Sequence, residues 1–225
     1  MTLRLKGSNS GDVSLKAPAT AGNNTITLPT SNGSANQFLM NSGTAGELEF
    51  AALANSDLPS LTSSNMPAGS ILQVKQTVKT NAFSTTANGF NDVTGLTVDI
   101  QPTSSSSKIL VMCYVNYGAA TDDNRLAARI VREESGSDNI ISQADADGNR
   151  TRAMWIGRHA NLNGAQLHVN IQILDSPAST NTLSYKFQTG RIDSGTLVVN
   201  DGRADSNASN HGRPISTITV MEVAA

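Results

Sequence analysis

Several features that would mark a disulfide-rich, nucleic-acid-binding or membrane protein are missing from this sequence. It contains a single cysteine, Cys113, so no intrachain disulfide framework can form. The net charge of −2 shows no basic excess, which argues against a nucleic-acid partner. The most apolar run, Ile109 to Val115, is far shorter than the roughly 20 residues that span a bilayer, so no membrane insertion is expected.

Catalytic motifs are missing as well. The sequence has no Gly-x-Ser-x-Gly elbow, phosphate-binding loop or dinucleotide fingerprint, and one cysteine cannot supply a thiol pair. We therefore predict that the chain is not an enzyme and needs no cofactor. The N-terminal residues turn polar where a signal peptide would need its apolar core, which predicts synthesis in a cytoplasm.

The residues that are present favour β-structure. Aromatic residues make up only 4%, and 18 glycines accompany many Ser, Thr and Asn, as is typical of short strands joined by tight turns. The most apolar stretch, 108–117, is apolar at both parities, which predicts a central strand covered on both faces by a second sheet or another subunit. Cys113 within it is predicted to be a buried small hydrophobic residue rather than a reactive thiol.

Strand signals recur at regular intervals from residue 70 onward. No segment shows a sustained 3.6-residue apolar period, and for the nearest candidate, 126–134, strand is favoured over helix. Turn dipeptides such as Asn88-Gly89 and Asp201-Gly202 separate the strands. We predict an all-β sandwich with strands near 71–78, 96–101, 108–117, 125–133, 139–143, 151–157, 166–174, 182–190, 196–200 and 214–223.

The first 53 residues form a distinct region of predicted hairpins. Alternating segments at 12–16 and 24–29 predict one hairpin, and those at 37–40 and 47–50 predict a second. Such ribbons bury too little surface to be stable alone, so their apolar residues need an outside cover, for which the same surface on sister chains is the simplest candidate. Residues 54–69, small and polar with Pro59 and Pro67, are predicted to be a linker or neck. The remainder, 70–225, is the predicted head.

Strand parity predicts which connections of the head lie together. If all successive strands run antiparallel, the connections 103–107, 135–138, 159–165 and 191–195 face the neck. The connections 79–95, 118–124, 144–150, 175–181 and 201–213 then share the far end. That far end is predicted to bind a receptor through its polar residues, which are Asp122, Asp123, Asn124, Asp145, Asp147, Asn149, Asp201, Arg203, Asp205 and His211.

Four alternative roles are conceivable for these and neighbouring residues. Asp145, Asp147 and Asn149 alternate like calcium ligands, but the EF-hand pattern fails beyond them, and a hairpin turn on Asp147-Gly148 is favoured. Adjacent Asp122 and Asp123 are favoured as solvated turn residues over a glycosidase carboxylate pair. The wide spacing of the histidines predicts no zinc site; they are His159, His168 and His211. The single tryptophan, Trp155, is favoured as a packing residue over a saccharide-stacking one.

The residue pattern resembles a known family. Gly11-Asp-Val-Ser-Leu-Lys-Ala-Pro-Ala-Thr-Ala-Gly-Asn-Asn-Thr-Ile-Thr-Leu-Pro, followed by Asn36-Gln-Phe-Leu and Gly46-Glu-Leu-Glu-Phe, resembles the N-terminal unit of tail fibre proteins of tailed bacteriophages. Short tail fibres of cyanophages are the nearest match. Ser107-Lys-Ile-Leu-Val, Gly148-Asn-Arg-Thr-Arg, Leu174-Asp-Ser-Pro and Ser216-Thr-Ile-Thr-Val-Met-Glu-Val resemble their receptor-binding head.

The resemblance implies a homotrimeric virion protein whose head is a jelly roll of the tumour-necrosis-factor-like kind. It implies that residues 1–53 attach the fibre to a phage tail or baseplate protein and that the head binds the host cell surface, with a polysaccharide as the expected receptor. No binding residue is carried over from the family. A polysaccharide-degrading tailspike and a non-binding baseplate or capsid decoration protein remain the alternatives.

Overall fold

The computed structural model describes residues 2–58, 65–119, 124–159, 167–193, 195–201 and 212–225. They belong to two compact units, Met1–Ser60 and Leu61–Ala225, each of which is described by itself. Both units are built from β-strands, as the sequence predicts. Within the described ranges, no helix has the length and apolar character needed to cross a membrane. The assignment of residues 1–53 to attachment, 54–69 to a neck and 70–225 to a head stays a prediction.

The N-terminal unit contains two hairpins. Strands β1 (Thr2–Lys6) and β2 (Asp12–Lys16) form the first, which was not predicted, and β3 (Phe38–Asn41) and β4 (Leu48–Ala51) form the second, which was. A single 3₁₀ turn, Asn55–Asp57, follows. The predicted pairing of 12–16 with 24–29 is wrong, because Thr2–Lys6 alternates equally well and reaches β2 through a shorter connection, closed by a hydrogen bond from the Gly7 amide to the Gly11 carbonyl. Thr27 instead bridges to Glu47.

The apolar side chains of this unit remain largely exposed. In the first hairpin Leu3 pairs with Leu15 and Leu5 with Val13, so that one face of the ribbon is entirely aliphatic. These four side chains are 55–65% exposed, and other apolar side chains of the unit are 48–69% exposed, namely Ile26, Leu28, Phe38, Leu39, Leu53 and Leu58. The expectation that the region lacks a cover of its own is therefore met.

The described residues of the second unit, which we call the head, form eleven strands. They are β5 (Ile71–Lys79), β6 (Phe83–Thr85), β7 (Gly89–Ile100), β8 (Lys108–Ala119), β9 (Asn124–Glu134), β10 (Ser137–Ile140), β11 (Trp155–His159), β12 (Leu167–Asp175), β13 (Leu183–Arg191), β14 (Leu197–Val199) and β15 (Ser216–Val223). The segment 126–134 is a strand, as favoured from the sequence. β6 was not predicted, and β7 begins seven residues before the predicted 96.

The strands lie in two antiparallel sheets. In the first, hereafter the β8 sheet, β8 pairs with β12 on one side and with β15 and β14 on the other, and β5 and β6 continue outward. In the second, the β13 sheet, the order is β7, β13 and β9, with β10 and β11 both pairing with β9.

Three pairs of these strands each form one interrupted strand, which we call a strand line. β5 and β6 run in the same direction, and so do β10 and β11 along β9, and β14 and β15 along β8. Counting each pair once gives eight lines, ordered 1-8-3-6 in the β8 sheet and 2-7-4-5 in the β13 sheet. This order is that of a jelly roll, with its two interleaved Greek keys.

The core lies between the two sheets. β8 contributes Ile109, Val111, Cys113, Val115 and Tyr117, each at most 1% exposed. They face β13 residues that are equally buried, namely Leu183, Tyr185 and Phe187. Burial of one such side chain contributes about 1.5–3 kcal/mol, so these alternating rows hold the sheets together. The buried position of Cys113 agrees with the prediction for it, and burial raises the pKa of its thiol, as befits an unreactive group.

Because some strand lines are interrupted, the connections between strands are grouped at the two ends of the head differently from the prediction. We call the end at which β5 begins and β15 finishes the terminal end, since Ile71 there pairs with Val223. Connection 175–181 lies at this end, because Asp175 pairs with Ile109 and Leu183 with Ile100. The strand ends that flank 159–165 and 191–195 lie at the opposite end. The parity count failed because β10 and β11 run in the same direction.

Candidate functional site

Half of the predicted receptor-binding residues can be placed. Asp122, Asp123, Arg203, Asp205 and His211 lie outside the described residues. Asn124 is the first residue of β9 and so lies at the opposite end. The remaining residues lie in two separate segments, which we call excursions because each leaves a strand line and then returns to it. Asp201 lies in the excursion between β14 and β15. Asp145, Asp147 and Asn149 lie in the excursion between β10 and β11.

The first excursion, residues 141–154, leaves the edge of the β13 sheet at mid-height. The Ile141 amide donates to the Ile130 carbonyl and the Met154 amide to the Ala128 carbonyl, so the chain departs and returns at neighbouring points of β9. Ser142 fixes the departure by donating to the Ile130 carbonyl and accepting from its amide. The prediction that this excursion shares an end with the other polar loops is therefore wrong.

Within this excursion the polar side chains point to solvent. All residues from 143 to 152 are exposed. The Arg150 amide donates to the Asp147 carbonyl, so the predicted turn is present, and the two side chains form an ion pair. The turn does not close a hairpin, because β10 and β11 pair with β9 rather than with each other. Across the described part of the chain no three His, Cys, Asp or Glu side chains are grouped to hold a metal ion.

The second excursion, residues 200–215, leaves the β8 sheet near the opposite end. Asn200, in the left-handed conformation at φ 58°, donates from Nδ2 to the Lys79 carbonyl, and its Oδ1 accepts from the Ser216 hydroxyl. Ser216 also accepts from the Asn116 amide. These three polar residues are at most 2% exposed. The base of the excursion is therefore a closed hydrogen-bond network, while Asp201 beyond it forms an ion pair with Arg213 at 3.8 Å.

The opposite end gathers further polar residues that the sequence analysis assigned elsewhere or did not single out. Arg125 contacts Asp193 through its guanidinium, with Nη1 to Oδ1 at 3.2 Å, and its amide donates to the same carboxylate. Arg191 donates to Asn88 and to the Gly195 carbonyl. The Arg125 side chain is 54% exposed, so this ion pair adds little stability and its groups stay accessible to a ligand. A correct strand direction for β11 would have placed 191–195 here.

Trp155 and His168 take no part in this end's chemistry. The Trp155 ring packs against Tyr117 with centroids 5.9 Å apart and covers Gly157, so it is a packing residue, as favoured from the sequence. His168 lies on the outer face of the β8 sheet, where its Nδ1 is 2.6 Å from Asn116 Oδ1. Of the other two histidines considered for zinc in the sequence analysis, His159 ends β11 and His211 lies outside the described residues.

The terminal end contains two carboxylates that are paired within the protein, Glu222 and Asp175. Glu222 is fully buried, and its carboxylate accepts from Gln73 Nε2 and from the Thr103 amide and hydroxyl at 2.6–2.7 Å. Burial by itself raises the pKa of Glu222, and these hydrogen bonds, with one from Ser107, outweigh it and hold the pKa below its ordinary value. Nearby, Asp175 accepts from Arg132 Nη1 at 2.6 Å. Both carboxylates are therefore paired within the protein.

Comparison with known proteins adds little. No family model matches the sequence, and no curated protein is similar to it. Among solved structures, the infectious bursal disease virus Gx strain matches at 13% identity and a TM-score of 0.34, over 98% of this chain and 46% of that one. Particles of the D431N mutant VP2 protein of the same virus match at 11% identity and a TM-score of 0.36, over 98% and 44%. The chain thus spans less than half the length of these proteins, and similarity at this level carries no functional assignment.

Proposed function

We propose that the chain is a structural protein of a virus particle, of the tail-fibre kind, which attaches the particle to saccharides on the host cell surface. It acts as a homotrimer without catalysis, with residues 1–53 joined to a tail or baseplate protein and the head carrying the receptor site. The class of protein comes from the sequence resemblance to bacteriophage tail fibres, and the jelly roll described above is the head fold that this resemblance implies.

One observation supports the receptor site in particular, the difference between the two ends of the head. At the terminal end the Glu222 carboxylate is fully buried and takes its hydrogen bonds from within the protein. At the opposite end, beyond the buried network of Asn200, Ser216 and Asn116, Arg125 and Asp193 form a partly exposed ion pair. Carboxylates, amides and guanidinium groups in such a setting can donate to and accept from the hydroxyls of a saccharide. The site proposed is therefore the opposite end, with Asp193 and Asp201 among its described residues, while Asp122, Asp123, Arg203, Asp205 and His211 stay predicted members that lie outside the described residues.

Alanine variants at the two ends test this site. The purified chain is applied to an array of bacterial surface polysaccharides, and Asp193→Ala and Asp201→Ala are compared with the parent. Asp99→Ala serves as a matched control, because Asp99 is an exposed aspartate with one hydrogen bond, from Ser184, on a strand end beside the terminal end. We expect the first two variants to lose most of the binding and the control to keep it. The site assignment is wrong if both variants bind like the parent while the control does not.

The excursion at 141–154 receives its own variant, Asp147→Ala. Because this excursion leaves the side of the β13 sheet and not the opposite end, we expect its loss to affect binding less than Asp201→Ala. A larger loss in Asp147→Ala would move the receptor site to the side of the head.

A further inference from the structure

The outer face of the β8 sheet carries almost no charge. Residues that pair across antiparallel strands point to the same side, so the buried residues of β15 show which side chains face outward. The outward set is Ile71, Val74, Gln76, Val78, Leu110, Met112, Tyr114, His168, Asn170, Gln172, Leu174, Thr217, Thr219, Met221 and Val223. Among the described strand residues of this face, Lys108 at the start of β8 carries the one formal charge, and it lies at the rim. We call this set the uncharged face.

An apolar row crosses the uncharged face from edge to edge. Val74 pairs with Met221, Met221 with Leu110, and Leu110 with Leu174. Val74 is 53% exposed and Leu174 50%, and Tyr114 in the middle of the sheet is 43% exposed. The outward residues of β8, Leu110, Met112 and Tyr114, were predicted from the sequence to be covered. In the single chain this face is open to solvent.

The outer face of the β13 sheet is of the opposite kind. Its outward residues include six charged side chains, which are Asp92, Asp99, Arg129, Glu133, Asp138 and Lys186. Lys186 lies 2.8 Å from Glu133 and 3.0 Å from Asp138, and Gln188 links Arg129 to Asp92. One sheet of the sandwich thus faces water in the usual way, and the lack of charge on the other sheet is not a property of the whole surface.

The uncharged face is large enough to form the centre of an interface. Four strand lines about 4.8 Å apart and about seven residues long cover roughly 450 Å² in projection. A standard interface buries about 800 Å² on each partner, so this face would supply about half of that area, and the relief of its side chains and neighbouring surface would supply the rest.

We infer that the uncharged face is the surface through which copies of this chain associate. This inference rests on the homotrimer of the proposed function and names the surface that joins its copies. Copies arranged about a symmetry axis bring identical residues near one another, so a charged residue close to the axis would meet its own like charge. A face without charge avoids this repulsion. A partner of different sequence would instead favour complementary charges, of which the interior of this face has none. Met and Tyr, both present here, are enriched in interface cores.

Charge insertion tests the inference in the full chain. Leu174→Lys places a charge in the apolar row, and Ile156→Lys is the matched control, because Ile156 is an aliphatic strand residue, 49% exposed, on the β13 sheet. Sedimentation equilibrium of the parent is expected to give a multiple of the 23.5 kDa chain mass at micromolar concentration. Leu174→Lys should raise the dissociation constant on the order of 100-fold or more, and Ile156→Lys should leave it within about threefold.

The inference is overturned if the parent is a monomer, if Leu174→Lys associates like the parent, or if Ile156→Lys dissociates equally. Tryptophan fluorescence from Trp155 verifies that each variant is folded. If Leu174→Lys is unfolded, thiol labelling decides, since Cys113 is buried and an introduced cysteine is the accessible thiol. Leu174→Cys should then react with a maleimide at least tenfold more slowly than Ile156→Cys, and equal rates would overturn the inference.

These results are separable from those of the proposed function. A parent that associates through the uncharged face but binds no polysaccharide or cell contradicts the attachment role alone. A parent that binds saccharides as a monomer contradicts the inferred interface and the homotrimer but leaves the attachment role standing.

Discussion

Replacement of Glu222 by Gln tests whether the terminal end is held by a buried, ionised carboxylate. Glu222 is fully buried and accepts from Gln73 Nε2, the Thr103 amide and the Thr103 hydroxyl. Glutamine keeps the shape but removes the charge and turns one acceptor into a donor that faces donors. Hydrogen bonds to a charged group contribute about 1.5–3 kcal/mol each, and some pairing survives, so we expect a loss of about 2–4 kcal/mol in the free energy of unfolding at pH 7.

The same variant has a defined pH dependence. The pKa of Glu222 is lowered in the folded chain, so its carboxylate contributes stability that is fully present above the ordinary unfolded pKa of about 4.3. That contribution is lost as the pH falls through the folded pKa. The stability gap between the parent and Glu222→Gln should therefore be constant near neutrality and shrink below about pH 4.

Urea unfolding followed by Trp155 fluorescence measures this gap at pH 7 and at pH 3.5, at one protein concentration. Asp145→Asn is the control, since Asp145 is an exposed carboxylate of the same unit, and we expect it to change the unfolding free energy by less than about 0.5 kcal/mol. A Glu222→Gln variant as stable as the parent at pH 7, or a gap that widens in acid, would refute the account of the terminal end.

Three further variants test other parts of the head. Asn200→Ala removes two buried hydrogen bonds and a residue suited to φ 58°, and should cost about 2–3 kcal/mol in chemical denaturation. In Gly157→Ala the new Cβ would lie 2.2 Å from the Trp155 ring, so the ring must move. We expect a loss of about 1–3 kcal/mol in the free energy of unfolding and a shift of Trp155 emission to longer wavelength. Lys186→Met removes ion pairs to partly exposed Glu133 and Asp138 and should cost no more than about 1 kcal/mol, less at high salt.

Local patterns predicted most of the strands of this fold. The alternation in 167–174 and 183–187 marks one buried face each, and hydrophobic patterning is sufficient to assign such strands. β6 was missed because Phe83–Thr85 is three residues long and joins the sheet as a continuation of β5. The N-terminal pairing was wrong because alternation identifies a strand but not its partner, and β1 competes with 24–29 for β2.

The candidate site depended on strand direction, which alternation does not encode. β10 and β11 read as two strands with a turn between them, and a turn at Asp147 normally reverses the chain. Here both strands pair with β9, and the turn belongs to an excursion. This one error assigns the connections after β11 to the wrong end of the head. The assignment becomes correct again after β14, because β14 and β15 also run in the same direction. The end that holds Asn124 and Asp201 was therefore right, while the places of Asp147 and Asp193 were not.

Cell attachment by the purified full chain tests the central claim most directly. The labelled chain is titrated onto a panel of bacterial cells that includes cyanobacteria, with and without soluble polysaccharide extracted from the same cells. The proposed function predicts saturable binding to some strains, competed by the extract from those strains and reduced in Asp201→Ala. Absence of saturable binding across the panel, or binding that the homologous polysaccharide does not reduce, would contradict a saccharide-directed attachment protein.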